Sequence, residues 1–224
     1  MTGGAGGNFA RSTDFGATWQ TTQSFATQSL PGMMVAVGPE VLAGNDISGG
    51  CVYVVTNGGN TFAPTYTFYR SFDGGSTFTL MSSQLFANYV GTNVSGRHSV
   101  ENMRTRPYPF IAADNSRGPY RGRLYCVYAS NTPSGNGYKP DIFVQYSDDQ
   151  GFSWSGPILI NDDPNTTNNH QWSPAIWVDK ETGRFYAKWY DRPLPPIPMV
   201  PWRSGPIFVT VPLAAIPPIS RILP

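Results

Sequence analysis

The 224-residue chain contains only two cysteines and two histidines, and only 13% of its residues are charged. Cys51, Cys126, His98 and His170 lie far apart, so no metal-ligand spacing is present and neither a metal nor another cofactor is expected. The net charge of +1 leaves no electrostatic footprint for nucleic acid. No apolar run reaches the roughly 18 residues of a membrane helix. The apolar stretch Ile207–Ile219 is broken by Pro212, Pro217 and Pro218, so membrane insertion is not expected. Leu, Ala, Glu and Lys do not dominate, which argues against long amphipathic helices. Residues Met1–Gly7 have neither the basic end nor the apolar stretch of a signal peptide.

In their place stand 24 glycines, 21 prolines and 14% aromatic residues. That profile suits many short strands joined by tight turns, with aromatic packing between layers. Both cysteines fall in apolar, strand-like runs, Cys51-Val-Tyr-Val-Val and Leu-Tyr-Cys126-Val-Tyr, and read as buried thiols. A disulfide between them would have to join separate repeats.

The repeats decide the fold. Three segments share Ser-x-Asp-x-Gly-x-Ser/Thr-aromatic: Ser12, Asp14, Gly16, Thr18 and Trp19; Ser71, Asp73, Gly75, Thr77 and Phe78; Ser147, Asp149, Gly151, Ser153 and Trp154. The pattern is that of a hairpin turn. The Asp carboxylate accepts backbone N–H groups, and the glycine supplies a positive φ. The hydroxyl ties the second strand, and the aromatic ring packs the turn onto the sheet. Catalysis by Asp14, Asp73 or Asp149 is disfavoured, and each loop has too few carboxylates for Ca²⁺.

Weaker repeats flank the turns. Pro109-Phe-Ile-Ala-Ala-Asp114 matches Pro174-Ala-Ile-Trp-Val-Asp179, and Gly50-Cys-Val-Tyr53 matches Gly122-Arg-Leu-Tyr125 and Gly183-Arg-Phe-Tyr186. One unit then reads as four strands. Met33–Val37, Phe110–Ala113 or Ala175–Val178 comes first. Cys51–Thr56, Arg123–Ala129 or Arg184–Tyr190 follows. A third strand runs into the turn and a fourth leaves it. Antiparallel four-strand units repeated in this way are propeller blades.

These turns, with Ile111 to Tyr125, Tyr146 to Trp154, Ile160-Asn-Asp-Asp-Pro and Trp189-Tyr-Asp-Arg192, resemble the Asp-box, or bacterial-neuraminidase, repeat of sialidase-like β-propellers. The resemblance covers Ser12 to Arg192. It implies an all-β, incomplete propeller of four-stranded antiparallel blades, about three to four blades of a six- or seven-bladed ring. Residues 1–192 are expected to hold the blades. Residues 193–224 read as a proline-rich divergent tail with one more strand at 207–211, set beside Phe185–Trp189. The parent protein is expected to be longer than this chain and secreted or displayed at the cell surface.

In such propellers the boxed turns lie opposite the ligand face. That face then falls to the connections between blades and the loops from second to third strands, Asn88–Pro107, Asn161–Trp172, Asn57–Ala63, Asn131–Pro140 and Asp191–Gly205. The candidate ligand residues are Arg97, His98, Glu101, Arg104 and Arg106 in the first, His170 and Trp172 in the second, and Asp191 and Arg192. A cationic, polar loop of this kind suits a carboxylate or a sugar. Sialidases need three arginines, a Tyr–Glu nucleophile pair and an Asp acid. The glutamates available are Glu40, Glu101 and Glu181, and none stands in the family's context, so no catalytic residue carries over. The expected role is carbohydrate or ligand binding, or adhesion, without demonstrable catalysis in this stretch of the propeller. The alternative is an exo-sialidase-type glycoside hydrolase whose catalytic residues lie partly in other blades. A glycan partner and self-association through open blade edges follow as expectations.

Overall fold

The computed structural model describes residues 6–60, 62–88, 92–94, 97–100, 103–131, 140–161, 170–192 and 206–210. Among these the chain is all β apart from one 3-10 turn, Leu42–Gly44. Strands β1 (Gly7–Arg11) and β2 (Gln20–Phe25) form a hairpin. Next come β3 (Met34–Glu40), β4 (Ile47–Asn60), β5 (Ala63–Ser71) and β6 (Thr79–Gln84), an antiparallel sheet in chain order. A small sheet follows from β7 (Thr92–Val94), β8 (Arg97–Val100) and β9 (Met103–Arg104). The second full blade is β10 (Phe110–Ala113), β11 (Leu124–Ser130), β12 (Asp141–Ser147) and β13 (Ile158–Leu159). The last sheet is β14 (His170–Val178), β15 (Phe185–Arg192) and β16 (Pro206–Thr210).

The blades fall where the repeats put them. The small β7–β9 sheet is new: the sequence there reads as a connection, yet Thr92, Val94 and Val100 lend it β-branched pairing surface. Strand β16 pairs with β15 from Tyr186↔Thr210 to Tyr190↔Pro206.

Blades stack face to face. Cys51, Tyr53, Val55, Tyr66 and Phe68 of one pack on Ile111, Ala113, Leu124, Cys126 and Tyr128 of the next. The other face of that blade, with Tyr125, Val127 and Val144, packs on Val178, Phe185, Ala187 and Trp189. Strands β11 and β12 are therefore buried along their whole length, which explains their nearly continuous apolar sequence. Both cysteines are free and buried. Burial pushes both thiols up, away from the nucleophilic thiolate.

The three boxed turns share one geometry. Ser12, Ser71 and Ser147 each donate Oγ–H to the Asp Oδ1 two residues on, at 2.7 Å. The same hydroxyls accept the N–H of Gly16, Gly75 and Gly151. Thr18, Thr77 and Ser153 bond the carboxylates through both N–H and Oγ–H. The hydroxyl thus closes the turn on its own Asp, whereas the sequence suggests a tie to the second strand. The aromatic residue packs on the preceding blade. Phe78 meets Phe9 and Phe25 at 5.0 and 5.3 Å, and Trp154 meets Phe68 at 4.3 Å. Trp19 is 68% exposed.

Arginines and hydroxyls complete these seams. Arg11 reaches the carbonyl oxygen of Asp73 at 2.9 Å, and Arg70 reaches Gln150 Oε1 at 2.7 Å. Thr22 and Ser82 donate to the carbonyls of Gly75 and Gly151.

Candidate functional site

Antiparallel order gives each blade two ends. The turns leaving the first strands share one end with the boxes. At that end an acidic residue closes each first strand. Glu40 accepts the Leu42 N–H at 2.8 Å and the Asn45 amide. Asp114 accepts the Ser116 N–H at 2.7 Å, and Asp179 accepts both N–H and Oγ–H of Thr182. Glu181 is exposed beside Lys180, 3.7 Å away. Two of the three glutamates considered for catalysis, Glu40 and Glu181, therefore serve loops at the box end. Glu101 lies outside the described residues.

The opposite end gathers the candidate ligand residues. Arg97 and His98 lie in β8, and Arg104 lies in β9; Arg192 ends β15. For these four only the backbone is described. Arg106 enters the blade that β10 begins. Its loop is pinned because Tyr66 Oη–H donates to the Pro107 carbonyl at 2.6 Å and the Tyr108 N–H donates to the Arg106 carbonyl at 2.9 Å. Gly32 lies so close that a Cβ there would meet the Tyr108 ring at 2.6 Å. Arg106 is half-buried, and its buried Nε has no hydrogen-bond partner.

His170, Trp172 and Asp191 come together on one sheet. His170 pairs with Arg192, Gln171 with Asp191 and Trp172 with Tyr190. Gln171 Nε2–H donates to Asp191 Oδ1 at 2.9 Å, and the Trp172 and Tyr190 rings stack with centroids 5.8 Å apart. Trp172 itself is buried. The Gln171 N–H donates to the Pro140 carbonyl at 3.0 Å, tying this corner to the neighbouring blade.

Sequence reasoning missed a second carboxylate at this end. Asp141, fully buried at the start of β12, accepts Asn161 Nδ2–H at 2.9 Å. Asn161 Oδ1 in turn accepts the Ile142 N–H at 2.8 Å. An Asp opening an apolar strand after a proline, Pro140-Asp-Ile-Phe-Val, was the available signal. Among the described residues, Asp141 and Asp191 are the carboxylates at this end, each held by a carboxamide, Asn161 just after β13 and Gln171 in β14. No group of three metal-ligating side chains occurs among the described residues.

No family model matches the chain. A xyloglucanase of Paenibacillus sp is 29% identical over 195 residues, covering 80% of this chain and 18% of that protein. The alpha-L-arabinanase of Penicillium chrysogenum, solved with arabinobiose, superposes with a TM-score of 0.53 at 15% identity. It covers 82% of this chain and 49% of its own. The GH93 alpha-L-arabinofuranosidase of Fusarium graminearum, also with arabinobiose, gives 0.56 at 12% identity, covering 90% of this chain and 52% of that one. The chain thus spans about half of these solved structures and under a fifth of the xyloglucanase. The likeness establishes the fold as a β-propeller, seen here as an incomplete arc of blades.

Proposed function

We propose that this chain is the carbohydrate-binding part of a glycosidase-like β-propeller, taking its ligand on the face away from the boxed turns. The carrying observation is Arg106, a half-buried guanidinium on a pinned loop whose Nε has no hydrogen-bond partner. Arginine presents planar donors suited to carboxylates and vicinal hydroxyls. The relatives support the ligand class, since a xyloglucanase and two arabinose-polymer enzymes all act on glycans. The three boxed turns favour the sialidase-like type and a secreted or surface-displayed parent. Calorimetric titration with arabinobiose, a xyloglucan oligosaccharide and sialyllactose tests the reading. One of these should bind, and Arg106→Ala should weaken that binding at least tenfold with an unchanged melting temperature. Equal binding by the variant, or no binding by the intact chain, overturns it.

A second reading, a hydrolase, draws on Asp141 and Asp191. Paired carboxyl groups are the working parts of glycoside hydrolysis. However, Asp141 is fully buried and held by Asn161, which is how a structural carboxylate is kept. Release of chromophore from a nitrophenyl arabinofuranoside or a fluorogenic sialoside, lost on Asp191→Asn, would favour this reading over simple binding.

A further inference from the structure

Strand register shows what surrounds the tyrosine of the repeat Gly122-Arg-Leu-Tyr125. Ala112 pairs with Tyr125 and Ala113 with Leu124. One step on, the Asp114 N–H donates to the Arg123 carbonyl at 2.9 Å, so Asp114 stands opposite Arg123. Side chains alternate along a strand. Asp114, Arg123 and Tyr125 therefore share one face, the face that lays Tyr125 on Phe185 of the next blade with ring centroids 5.1 Å apart. Opposed residues of an antiparallel pair hold their Cβ atoms about 4.5–5.5 Å apart.

All three residues are buried, and each keeps one buried polar atom without a hydrogen-bond partner: Asp114 Oδ2, Arg123 Nη1 and Tyr125 Oη. The rest of their bonding is fixed. Asp114 Oδ1 accepts the Ser116 N–H at 2.7 Å. Arg123 gives Nε–H and Nη2–H to Asp148, and the Tyr120 and Tyr146 rings cover its faces. Only the in-plane edge at Nη1 is left for a further partner. Burial pushes the Tyr125 hydroxyl up, so it stays protonated and able to donate. Nη1 and Oδ2 do not bond to one another, although their residues are opposed. Buried polar atoms are otherwise paired, with protein or with ordered water.

The next blade closes the place. A Cβ on Gly183 would stand 2.8 Å from Ser116 Oγ and 3.4 Å from Asp114 Oδ2, and the φ of Gly183 is +68°. Glycine thus brings this backbone onto the Asp114 carboxylate, while Phe185, two residues on, covers Tyr125. The preceding blade makes the contrast. Gly38 pairs with Cys51, so these two hold the places of Asp114 and Arg123. There the Ala113 Cβ and the Tyr53 ring fill the space, 2.7 and 3.0 Å from where a Gly38 Cβ would be. The polar trio belongs to one seam and is no by-product of the repeat.

We infer that an internal water molecule is bound between Asp114 Oδ2, Arg123 Nη1 and Tyr125 Oη, in the seam that Gly183 closes. The three groups call for one molecule that donates to a carboxylate and accepts from a guanidinium and a hydroxyl. About three hydrogen bonds of this kind are usual for an interior water. Asp114 opposes an anion at this place, and Arg123 opposes a cation. Through the water Arg123 serves two carboxylates, Asp148 directly and Asp114 at one remove. The first strand, the second strand and the boxed turn of one blade are thereby tied together under the next. The site lies at the boxed end, so its test is separate from that of glycan binding.

A crystal structure of the unaltered chain, at a resolution that shows ordered waters, tests this. One density peak should lie about 2.7–3.2 Å from each of the three atoms. Crystals soaked in bromide or rubidium should give no anomalous signal there. Asp114→Leu removes the acceptor and fills the space. It should abolish the peak, keep the Arg123–Asp148 pair and lower the count of long-lived waters in oxygen-17 relaxation dispersion by one. Absence of the peak overturns the inference, and so does a direct bond between Nη1 and Oδ2. An anomalous signal from either ion, or a water count unchanged in a folded Asp114→Leu, does the same. If that variant fails to fold, the density and the two soaks of the unaltered chain still decide.

Discussion

Arg123 and Asp148 meet in a two-point ion pair, Nε to Oδ1 at 2.7 Å and Nη2 to Oδ2 at 2.9 Å. The guanidinium lies between the Tyr120 and Tyr146 rings, 4.1 Å from each centroid. Arg123 is buried, whereas Asp148 is half-exposed beside the third boxed turn. One side chain thus joins the second strand of the blade, the turn before it and the box.

Lysine cannot reproduce the fork or lie flat between two rings. Arg123→Lys should therefore cost on the order of 2 kcal/mol, below the 3–5 kcal/mol of a fully buried pair because Asp148 is partly solvated. Urea unfolding measures it. A loss under about 0.5 kcal/mol would mean that the pair contributes no more than a surface bridge.

Asp149 should be structural, with no part in ligand binding. Its carboxylate accepts Ser147 Oγ–H, Ser153 N–H and Ser153 Oγ–H. Asp149→Ala should lower stability by about 1–2 kcal/mol, the scale for losing hydrogen bonds to a charged group at a partly solvated site. Sugar affinity should be unchanged. A variant of full stability that no longer binds its ligand would reverse the assignment.

Acid should loosen the turns in a defined window. Hydrogen bonds from Thr18 and Ser12 lower the Asp14 carboxyl to about 2, and those from Thr77 and Ser71 lower Asp73 further. Asp149 and Asp179 are lowered as well. A group whose folded pKa is depressed stabilises the fold above its unfolded value, near 3.9, and loses that contribution as pH falls toward its folded value. The melting temperature should hold from neutrality to about pH 4 and fall between about pH 4 and 2. Replacing Asp73 by Asn should flatten the decline, and an unaltered decline would exclude the boxes as its source.

How much of this was legible follows from what each part answers to. The boxes and strands were readable because a hairpin imposes the same demands three times, as at Ser71, Asp73 and Gly75, and repetition separates signal from chance. Trp19 was misread as a packed ring, since its sequence matches Phe78 and Trp154 and only the neighbouring blade differs. The candidate site was less legible. Arg106 and Asp191 sit in non-repeating segments, and Asp141 opens an ordinary-looking apolar strand. Their grouping depends on which strand ends share a face.

The fourth position of the box offers a test of opposite signs at equivalent sites. Phe15, Gly74 and Gln150 adopt φ values of 56°, 66° and 62°, each followed by a glycine at 91°, 81° or 93°. The left-handed region costs a non-glycine residue about 1–2 kcal/mol. Phe15 is exposed and makes no contact that would offset this. Gln150 is buried, and its Oε1 accepts Arg70 Nη1–H at 2.7 Å across the seam. Phe15→Gly should then stabilise the chain by about 0.5–1 kcal/mol, the relieved strain less the added freedom of glycine in the unfolded state. Gln150→Gly relieves the same strain but removes a hydrogen bond to a charged group, worth about 1.5–3 kcal/mol. It should destabilise by about 1 kcal/mol. Chemical denaturation of both variants gives the answer directly. Two shifts of the same sign would show that backbone strain or the cross-seam bond has been misweighed, and the double variant Gln150→Gly/Arg70→Met would say which. Little further loss beyond Gln150→Gly alone assigns the cost to the bond.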